Sequence, residues 1–449
     1  MFVVVFAAKK HLRGSKDPSV ATAVGIRRED KSRWERRVPL TPADVSALTK
    51  QGIPFLVQSS PIRVYPDNAY LAAGAEVVEN LDAADIIMAV KEVPIKLLRP
   101  NKTYAFFSHV IKGQPYNMPM LARLLELGCS LVDYERIVDD EGQRLIFFGI
   151  HAGYAGMLET LWALGERLLA QGIQSPLAEV RHAYEYDGLH AAMAHLRDIG
   201  NRMTVGDRPL VFGIAGYGNV SRGAREILAC LPRKEIAVVD LPIAANQPGP
   251  AIIEVVFKEE DMVRARPPND TFELQDYYDH PERYDGAFES YLPHLDVLVN
   301  TIYWEERYPR LVTRTWADKQ LSAGQTRLQV IGDISCDIRG GVEITLVATQ
   351  PDAPCFLYQA NADKPYPGTK GHGIAVMSVD NLPCELPHEA SQYFGNTLRD
   401  MMPALVSADW QADFDALELP APLKNAVIVH KGELTPNYRY LQQPLRANT

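Results

Sequence analysis

Cysteine is scarce in this chain, with five among 449 residues. Cys129, Cys230, Cys336, Cys355 and Cys384 stand far apart, and no two have the spacing of a zinc site. An odd, scattered set excludes a disulfide framework and fits a reducing compartment, so a cytoplasmic location and no metal are expected. Long apolar runs are lacking as well. Phe2–Ala8 ("FVVVFAA") is too short to span a bilayer, and its positive charges follow it, unlike those of a signal peptide. Residues 1–16 contain no acid, which keeps a mitochondrial leader as the alternative. Net positive charge is missing too. At −10 the chain lacks the electrostatic footprint of nucleic-acid binding, so neither nucleic acid nor membrane is expected as a partner. Repeats and low-complexity tracts are absent, and the length suits two or three domains.

What is present is an alternation of short apolar runs with helical stretches, the pattern of a parallel sheet with crossover helices. "ATAVGI" (21–26) reads as a first strand. Thr41 and Asp44 have capping-box spacing around Pro42, so a helix over 42–51 follows, ending at Gly52. Further strands are expected at "IPFLV" (53–57), "DIIMAV" (85–90), "TYAFFS" (103–108), "SLVDY" (130–134) and "RLIFFG" (144–149). A helix over 153–171, with Leu158, Leu161, Leu164, Leu168 and Leu169 on one side, leaves this domain. A second domain opens with a strand, glycine turn and helix over 208–231. It continues through "EIAVVD" (235–240), "LDVLVN" (295–300) and "LQVIGDIS" (328–335). Residues 242–290, with Pro, Asp and Tyr throughout, read as a long irregular surface excursion. Residues 387–406 read as a helix.

Charged groups gather after the strands of the first domain. Residues 26–37 ("IRREDKSRWERR") carry five arginines and one lysine directly after the first strand. Lys91 follows "DIIMAV", His109 follows "TYAFFS", Glu135 follows "SLVDY" and Arg144 opens "RLIFFG". In an open parallel sheet the carboxyl ends of the strands form the ligand face, so these groups should converge. Taken singly, a strand-end lysine is a solvated group, and the loop's Glu29, Asp30 and Glu35 suffice to neutralise its own arginines. Together they suit a substrate with carboxylates, which the arginine fork grips bidentately, and an amine or carbonyl.

The glycine turn carries the second signal. Gly216-Tyr-Gly218-Asn219-Val220-Ser221 sits between a strand and a helix, where backbone N–H groups meet a pyrophosphate. Ser221 replaces the third glycine of the usual pattern. Asp240 ends the next expected strand, where an acid takes the ribose hydroxyls.

"ERRVPLTP" (35–42), "VKEVP" (90–94) and "FFSH" (106–109) resemble the alanine dehydrogenase and transhydrogenase superfamily. The longer strings "RREDKSRWERRVPLTP" and "TYAFFSHVIKGQ" (103–114) are similar to a narrower group, the saccharopine dehydrogenases that form lysine. So are "DYYDHPERY" (276–284), "VNTIYW" (299–304), "IGDISCDIRGGVE" (331–343) and "SVDNLPCELPHEAS" (378–391). The match extends to the lysine–ketoglutarate reductase domain of aminoadipic semialdehyde synthase and runs from about residue 21 to the end of the chain. It implies an α/β fold of two Rossmann-like, doubly wound domains with the active site in the cleft between them. A tail (1–20) would precede a substrate domain over 21–150, completed by 388–449, and a dinucleotide-binding domain would occupy 151–387.

The implied reaction condenses L-lysine with 2-oxoglutarate and reduces the imine to saccharopine. By the resemblance Lys91 and His109 form the acid–base pair. Lys112 and Glu135 would flank His109, and Glu35 would flank Lys91. Arg37 above all, with Arg28 and Arg144, would clamp carboxylates. The cofactor would contact Gly216, Gly218, Asn219, Val220, Asp240, Thr301, Asp333 and Asp380, the last near the nicotinamide. The resemblance implies NADP(H), whereas Asp240 favours NAD(H); the expectation follows the resemblance. Two other readings stand beside this one. One is an amino-acid dehydrogenase of the alanine type, and the other a non-catalytic sensor of dinucleotide or amino acid.

Overall fold

The computed structural model describes residues 22–204, 208–267 and 271–447. The expected tail (1–20) and any leader within 1–16 lie outside them. The chain divides into two compact units. One holds the described residues through Lys31, Val38–Ile146 and those from Phe394 onward; the other holds Ser32–Arg37 and Phe147–Tyr393. The division at the far end falls inside a helix, Pro387–Arg399. The helix expected over 387–406 stops at Arg399, and Met402–Ser407 forms a separate one.

The first unit is built on an eight-stranded sheet. Its strands are β1 (Val24–Ile26), β2 (Phe55–Gln58), β3 (Glu76–Val78), β4 (Ile86–Met88), β5 (Thr103–Phe106) and β6 (Ser130–Asp133). From the end of the chain come β17 (Val427–His430) and β18 (Glu433–Leu434). The order is β18-β17-β6-β5-β4-β1-β2-β3, parallel from β3 to β6, with β17 antiparallel on β6. Burial explains the apolar runs: all residues of β1, β4, β5 and β6 are buried, as strands covered on both faces must be. The Pro42–Thr49 helix starts on the expected capping box, with Thr41 Oγ1 accepting from Asp44 N and Asp44 Oδ2 accepting from Thr41 N. "RLIFFG" forms no strand. Arg144 makes an isolated bridge to Val138, and Gly149 already opens the next helix. Apart from that bridge, no ladder forms over 144–149 among the described residues.

The second unit has its own eight-stranded sheet. In chain order it comprises β7 (Leu210–Ala215), β8 (Arg233–Ile236), β9 (Ile252–Phe257), β12 (Val297–Asn300), β13 (Val330–Asp333), β14 (Cys355–Tyr358), β15 (Tyr366–Pro367) and β16 (Ile374–Met377). A hairpin of β10 (Val263–Ala265) and β11 (Tyr284–Gly286) stands apart from it. The sheet order is β15-β14-β16-β13-β12-β7-β9-β8, parallel from β8 to β16.

Two expectations fail here. The supposed excursion 242–290 contributes β9, which pairs with β7 along six residues. "EIAVVD" stops being strand at Ile236, and Val238–Asp240 is a 3-10 turn. "IIEVVF" hides a strand because Glu254 interrupts its apolar run. That carboxylate is fully buried and paired with Arg225 Nε at 2.6 Å and with Arg233.

The Gly149–Ala170 helix runs through the core of this unit. Leu158, Leu161 and Leu164 are fully buried, and only Leu169 among the expected leucines is exposed. Each fully buried leucine contributes about 1.5–3 kcal/mol. The helix meets the Asn219–Leu228 helix at glycines. A Cβ on Gly153 would lie 2.1 Å from Val220 O, and one on Gly223 2.1 Å from Ile150 O. This glycine contact brings the helix that opens at the Gly216 turn against the core.

Candidate functional site

In each sheet the strand order reverses at a central strand, and the crevice beyond that reversal is where ligands bind in open α/β folds. In the first unit the reversal lies between β1 and β4, so the arginine loop and Lys91 leave from neighbouring strand ends. Glu29 ties them together. Its carboxylate accepts from Val90 N at 2.7 Å and from Lys91 N at 3.2 Å.

One strand further, His109 follows β5 with a left-handed backbone, φ +52°. A non-glycine residue holds that conformation only when its surroundings enforce it. Asn117 Nδ2 donates to the carbonyls of Ser108 and His109, and Ser108 donates to the buried Asp133. Burial raises the Asp133 carboxyl to about 6, against the pull of the Ser108 hydrogen bond. The ring is aimed by Glu92: His109 Nδ1 lies 2.6 Å from Glu92 Oε1, and Lys31 Nζ lies 3.0 Å from Glu92 Oε2. Burial pushes the Glu92 carboxyl up, but the His109 hydrogen bond and charge, with Lys31, outweigh it and hold it down at about 2. An ionised Glu92 fixes the proton on Nδ1, so Nε2 is the nitrogen left to face a substrate.

The expected flanking groups differ from those found. Glu92, unremarked in the sequence though it follows Lys91 directly, takes the place beside His109 that Glu135 and Lys112 were expected to hold. Glu135 instead pairs with Arg144, and Lys112 is exposed. The Glu35 carboxylate binds Arg37 bidentately, to Nε at 2.8 Å and to Nη2 at 2.6 Å.

That pair changes the reading of the arginine loop. Arg37 and Glu35 side chains are each 1% exposed, Asn381 bridges them, and the guanidinium lies over the Phe148 ring at 4.6 Å. The other arginines have in-chain contacts too. Arg27 pairs with Asp30 at 2.6 Å, Arg33 pairs with Asp352, and the exposed Arg28 donates to Ser59 O. Much of the crowding is therefore internal neutralisation.

In the second unit the reversal lies between β7 and β12, and a cavity of about 410 Å³ opens there. Gly216, Gly218 and Thr301 line it, with Glu259 and a wall of Tyr277, Tyr278, Trp304 and Tyr308. Gly216 has φ +101°, and a Cβ there would lie 2.8 Å from Thr301 Oγ1. Thr301 itself donates to Ala215 O at 2.6 Å. A Cβ on Gly218 would meet nothing within 4 Å, so the backbone is open to a close-approaching group. Asn219 and Val220 form the first turn of the following helix, whose N–H groups face the same opening. Ser221, at the third glycine's place, is fully buried. The turn fits a pyrophosphate, and the ring-lined wall fits a purine.

Three other expected cofactor residues are not among those lining this cavity. Asp240 sits beyond the edge strand β8, exposed, with β9 between it and the glycine turn. Asp333 is buried and accepts from Asn300 Nδ2 at 2.8 Å and Thr345 Oγ1 at 2.5 Å, a clamp between segments. Burial raises its carboxyl to about 6 while those hydrogen bonds pull it back. Asp380 is exposed just past β16. No group of three or more metal-ligating side chains occurs among the described residues, and none of their helices is long and apolar enough to cross a membrane.

Comparison with known proteins places this architecture. Residues 25–155 match the family model "Alanine dehydrogenase/PNT, N-terminal domain", and 270–437 match "Alanine dehydrogenase/PNT, C-terminal domain". The chain is 37% identical to alpha-aminoadipic semialdehyde synthase of Arabidopsis thaliana, over 95% of this chain and 42% of that protein. It is 34% identical to the mitochondrial synthase of Bos taurus, over 95% and 48% respectively. The chain thus spans about half the length of these relatives. Saccharopine dehydrogenase (NAD(+), L-lysine-forming) of Neurospora crassa is 29% identical over 87% of this chain and 92% of its own. Among solved structures, an L-alanine dehydrogenase superposes with a TM-score of 0.61 at 17% identity, over 95% of this chain and all of that one. A transhydrogenase of Sinorhizobium meliloti gives 0.55 at 15%, over 92% and 100%. Both likenesses bear on the fold. With its two domains matched in order along the chain, the protein belongs to the alanine dehydrogenase/PNT family.

Proposed function

We propose that this chain condenses L-lysine with 2-oxoglutarate and reduces the product to saccharopine, reversibly. The observation that carries the reading is the Glu92–His109 pair, held beside Lys91 at the ligand edge of a family fold whose relatives include lysine-forming saccharopine dehydrogenases. Attack of the lysine ε-amine on the keto carbon gives a carbinolamine, and loss of water gives an imine. Those steps need a proton placed on the departing oxygen and one removed from nitrogen. His109, its Nδ1 held by Glu92 and its Nε2 left to exchange a proton, suits one transfer; Lys91 suits the other. A nicotinamide dinucleotide, bound at the glycine turn, supplies the hydride that reduces the imine carbon.

Arg28, Arg144 and Lys112, exposed cations of the first unit, are the proposed carboxylate contacts, with Glu135 holding Arg144 in place. Arg37 keeps its assigned neighbourhood but acts by positioning the loop through Glu35 and Asn381. The resemblance implies NADP(H) as the cofactor. NAD(H) is the alternative to it. A cytoplasmic location belongs to the same proposal and is supported by five free cysteines.

The test follows nicotinamide absorbance with lysine plus 2-oxoglutarate, with ammonium plus pyruvate, and with neither. Oxidation that requires lysine and 2-oxoglutarate together is the expected result. Turnover with ammonium and pyruvate alone overturns it in favour of an alanine-type dehydrogenase, and dinucleotide binding without any turnover overturns it in favour of a sensor.

A further inference from the structure

We infer that Asp133 is a positioning residue for the proposed reaction: one buried carboxylate sets both the turn that carries His109 and the turn that carries Glu135. The inference rests on that reaction and adds to it a link between proton transfer and the grip on a substrate carboxylate.

Asp133 closes β6 and stands in register with Phe106, which closes β5. The two turns that follow therefore leave from adjacent strand ends at the ligand edge. Asp133 N donates to Ala426 O, just before β17, at 2.9 Å, so its backbone is held from both sides within the sheet. The side chain is fully buried and stands on this frame, not on a loop.

Its two oxygens serve different turns. Oδ2 accepts from Ser108 Oγ and, at 3.3 Å, from Ser108 N. Oδ1 accepts from Glu135 N at 2.8 Å. A buried acid is costly unless donors reach it, and here the donors come from the two turns that need fixing.

Each turn leads to a group of the proposed site. Ser108 precedes His109, whose φ of +52° a histidine keeps only when its neighbours enforce it. Asn117 Nδ2 grips the same stretch from the other side, at 2.9 Å to Ser108 O and 3.2 Å to His109 O. Glu135 in turn pairs with Arg144, one of the proposed carboxylate contacts. Asp133 acts through these neighbours and not by contact with a reactant.

The experiment measures kcat, KM and Tm for the full chain and three variants. Ser108→Ala frees only the His109 turn and should lower kcat about tenfold, with KM for lysine and for 2-oxoglutarate within about twofold. Asp133→Ala frees both turns and should in addition raise KM for the substrate whose carboxylate Arg144 holds, by about tenfold. Asp133→Asn should restore KM but not kcat. The Glu135 N–H can only donate and so keeps the amide oxygen, whereas the Ser108 hydroxyl can turn and accept from the amide nitrogen. In a His109→Gln chain, Ser108→Ala and Asp133→Asn should lower kcat by no more than about threefold further, because their effect passes through His109. Losses of kcat that persist in full without His109 would make Asp133 a structural residue and overturn the inference. So would normal kcat in Ser108→Ala and Asp133→Asn, whether or not Asp133→Ala folds, or an unchanged KM in a folded Asp133→Ala. An unmodified chain that does not turn over lysine with 2-oxoglutarate overturns the reaction and this inference with it, whereas normal turnover shared by the variants overturns the inference alone.

Discussion

Two alanine substitutions two residues apart, at Gly216 and Gly218, should separate what holds the glycine turn from what the turn holds. Gly216 adopts φ +101°, and an added Cβ would come within 2.8 Å of Thr301 Oγ1 and 3.0 Å of Ile302 Cγ2. A side chain in that region of backbone space costs about 1–3 kcal/mol. Forcing a methyl into a packed contact adds about 1 kcal/mol, the low end for overpacking, so Gly216→Ala should lose about 2–4 kcal/mol. For a unit of this size that is a Tm decrease on the order of 5–15 °C. Gly218 has φ −77° and ψ −163°, open to any residue, and a Cβ there meets nothing within 4 Å. Gly218→Ala should therefore fold with unchanged Tm, yet its methyl would stand where a phosphate must approach the backbone. Loss of a charge-assisted hydrogen bond costs about 1.5–3 kcal/mol, so NADH affinity should fall roughly 10- to 150-fold. Differential scanning calorimetry and fluorescence titration read the two effects separately. NADH affinity within threefold of the unmodified chain for Gly218→Ala would refute the pyrophosphate cradle, and an unshifted Tm for Gly216→Ala would refute the steric argument.

Other expectations follow from the same geometry. Lys91→Met and His109→Gln should each lower kcat by roughly 10²–10⁴ while dinucleotide affinity stays within a few fold; near-normal turnover by either removes that residue from the acid–base pair. Arg37→Ala leaves Glu35 buried without its bidentate partner and should destabilise the chain by about 3–5 kcal/mol in urea unfolding. A change below about 1 kcal/mol with a raised KM for 2-oxoglutarate would instead restore Arg37 as a substrate clamp. Burial and then the neighbouring Glu159 push the Glu385 carboxyl well above its ordinary value. A raised acid contributes stability in full below its unfolded pKa and loses it as pH rises through the folded one. Glu385→Gln should therefore flatten the alkaline fall of Tm with pH, and a curve parallel to that of the unmodified chain would count against a buried neutral carboxyl.

The elements that were legible in the sequence are those whose local signals agree with their burial. The Thr41–Asp44 box, the leucine face of the Gly149–Ala170 helix and the strand–turn–helix around Gly216 needed no tertiary information. β9 was not legible because a buried Glu254, neutralised by arginines from elsewhere in the sequence, breaks its apolar run. The reading of Asp240 follows from the same omission: without β9, Asp240 reads as the acid ending the strand beside the glycine turn. Lys91 and His109 could be singled out by what precedes them, since strand ends converge by topology. Their partners could not, because sequence distance does not say whether Glu92 or Glu135 meets the His109 ring, and it is the fold that brings Glu92 to Nδ1.

The pairing of β17 with β6 has a consequence for biosynthesis. Val427 finds Val132 about 300 residues later in the chain, and at 5–20 residues per second the ribosome takes roughly 15–60 s to cover that interval. Throughout it, β6 presents unpaired N–H and C=O groups beside Leu131 and Val132, a template for pairing with another nascent chain. The first unit, although begun first, is finished last, and its exposure on the polysome is set by the translation time of the segment that interrupts it. Slowing elongation between residues 134 and 426 should therefore increase aggregation without any change of sequence.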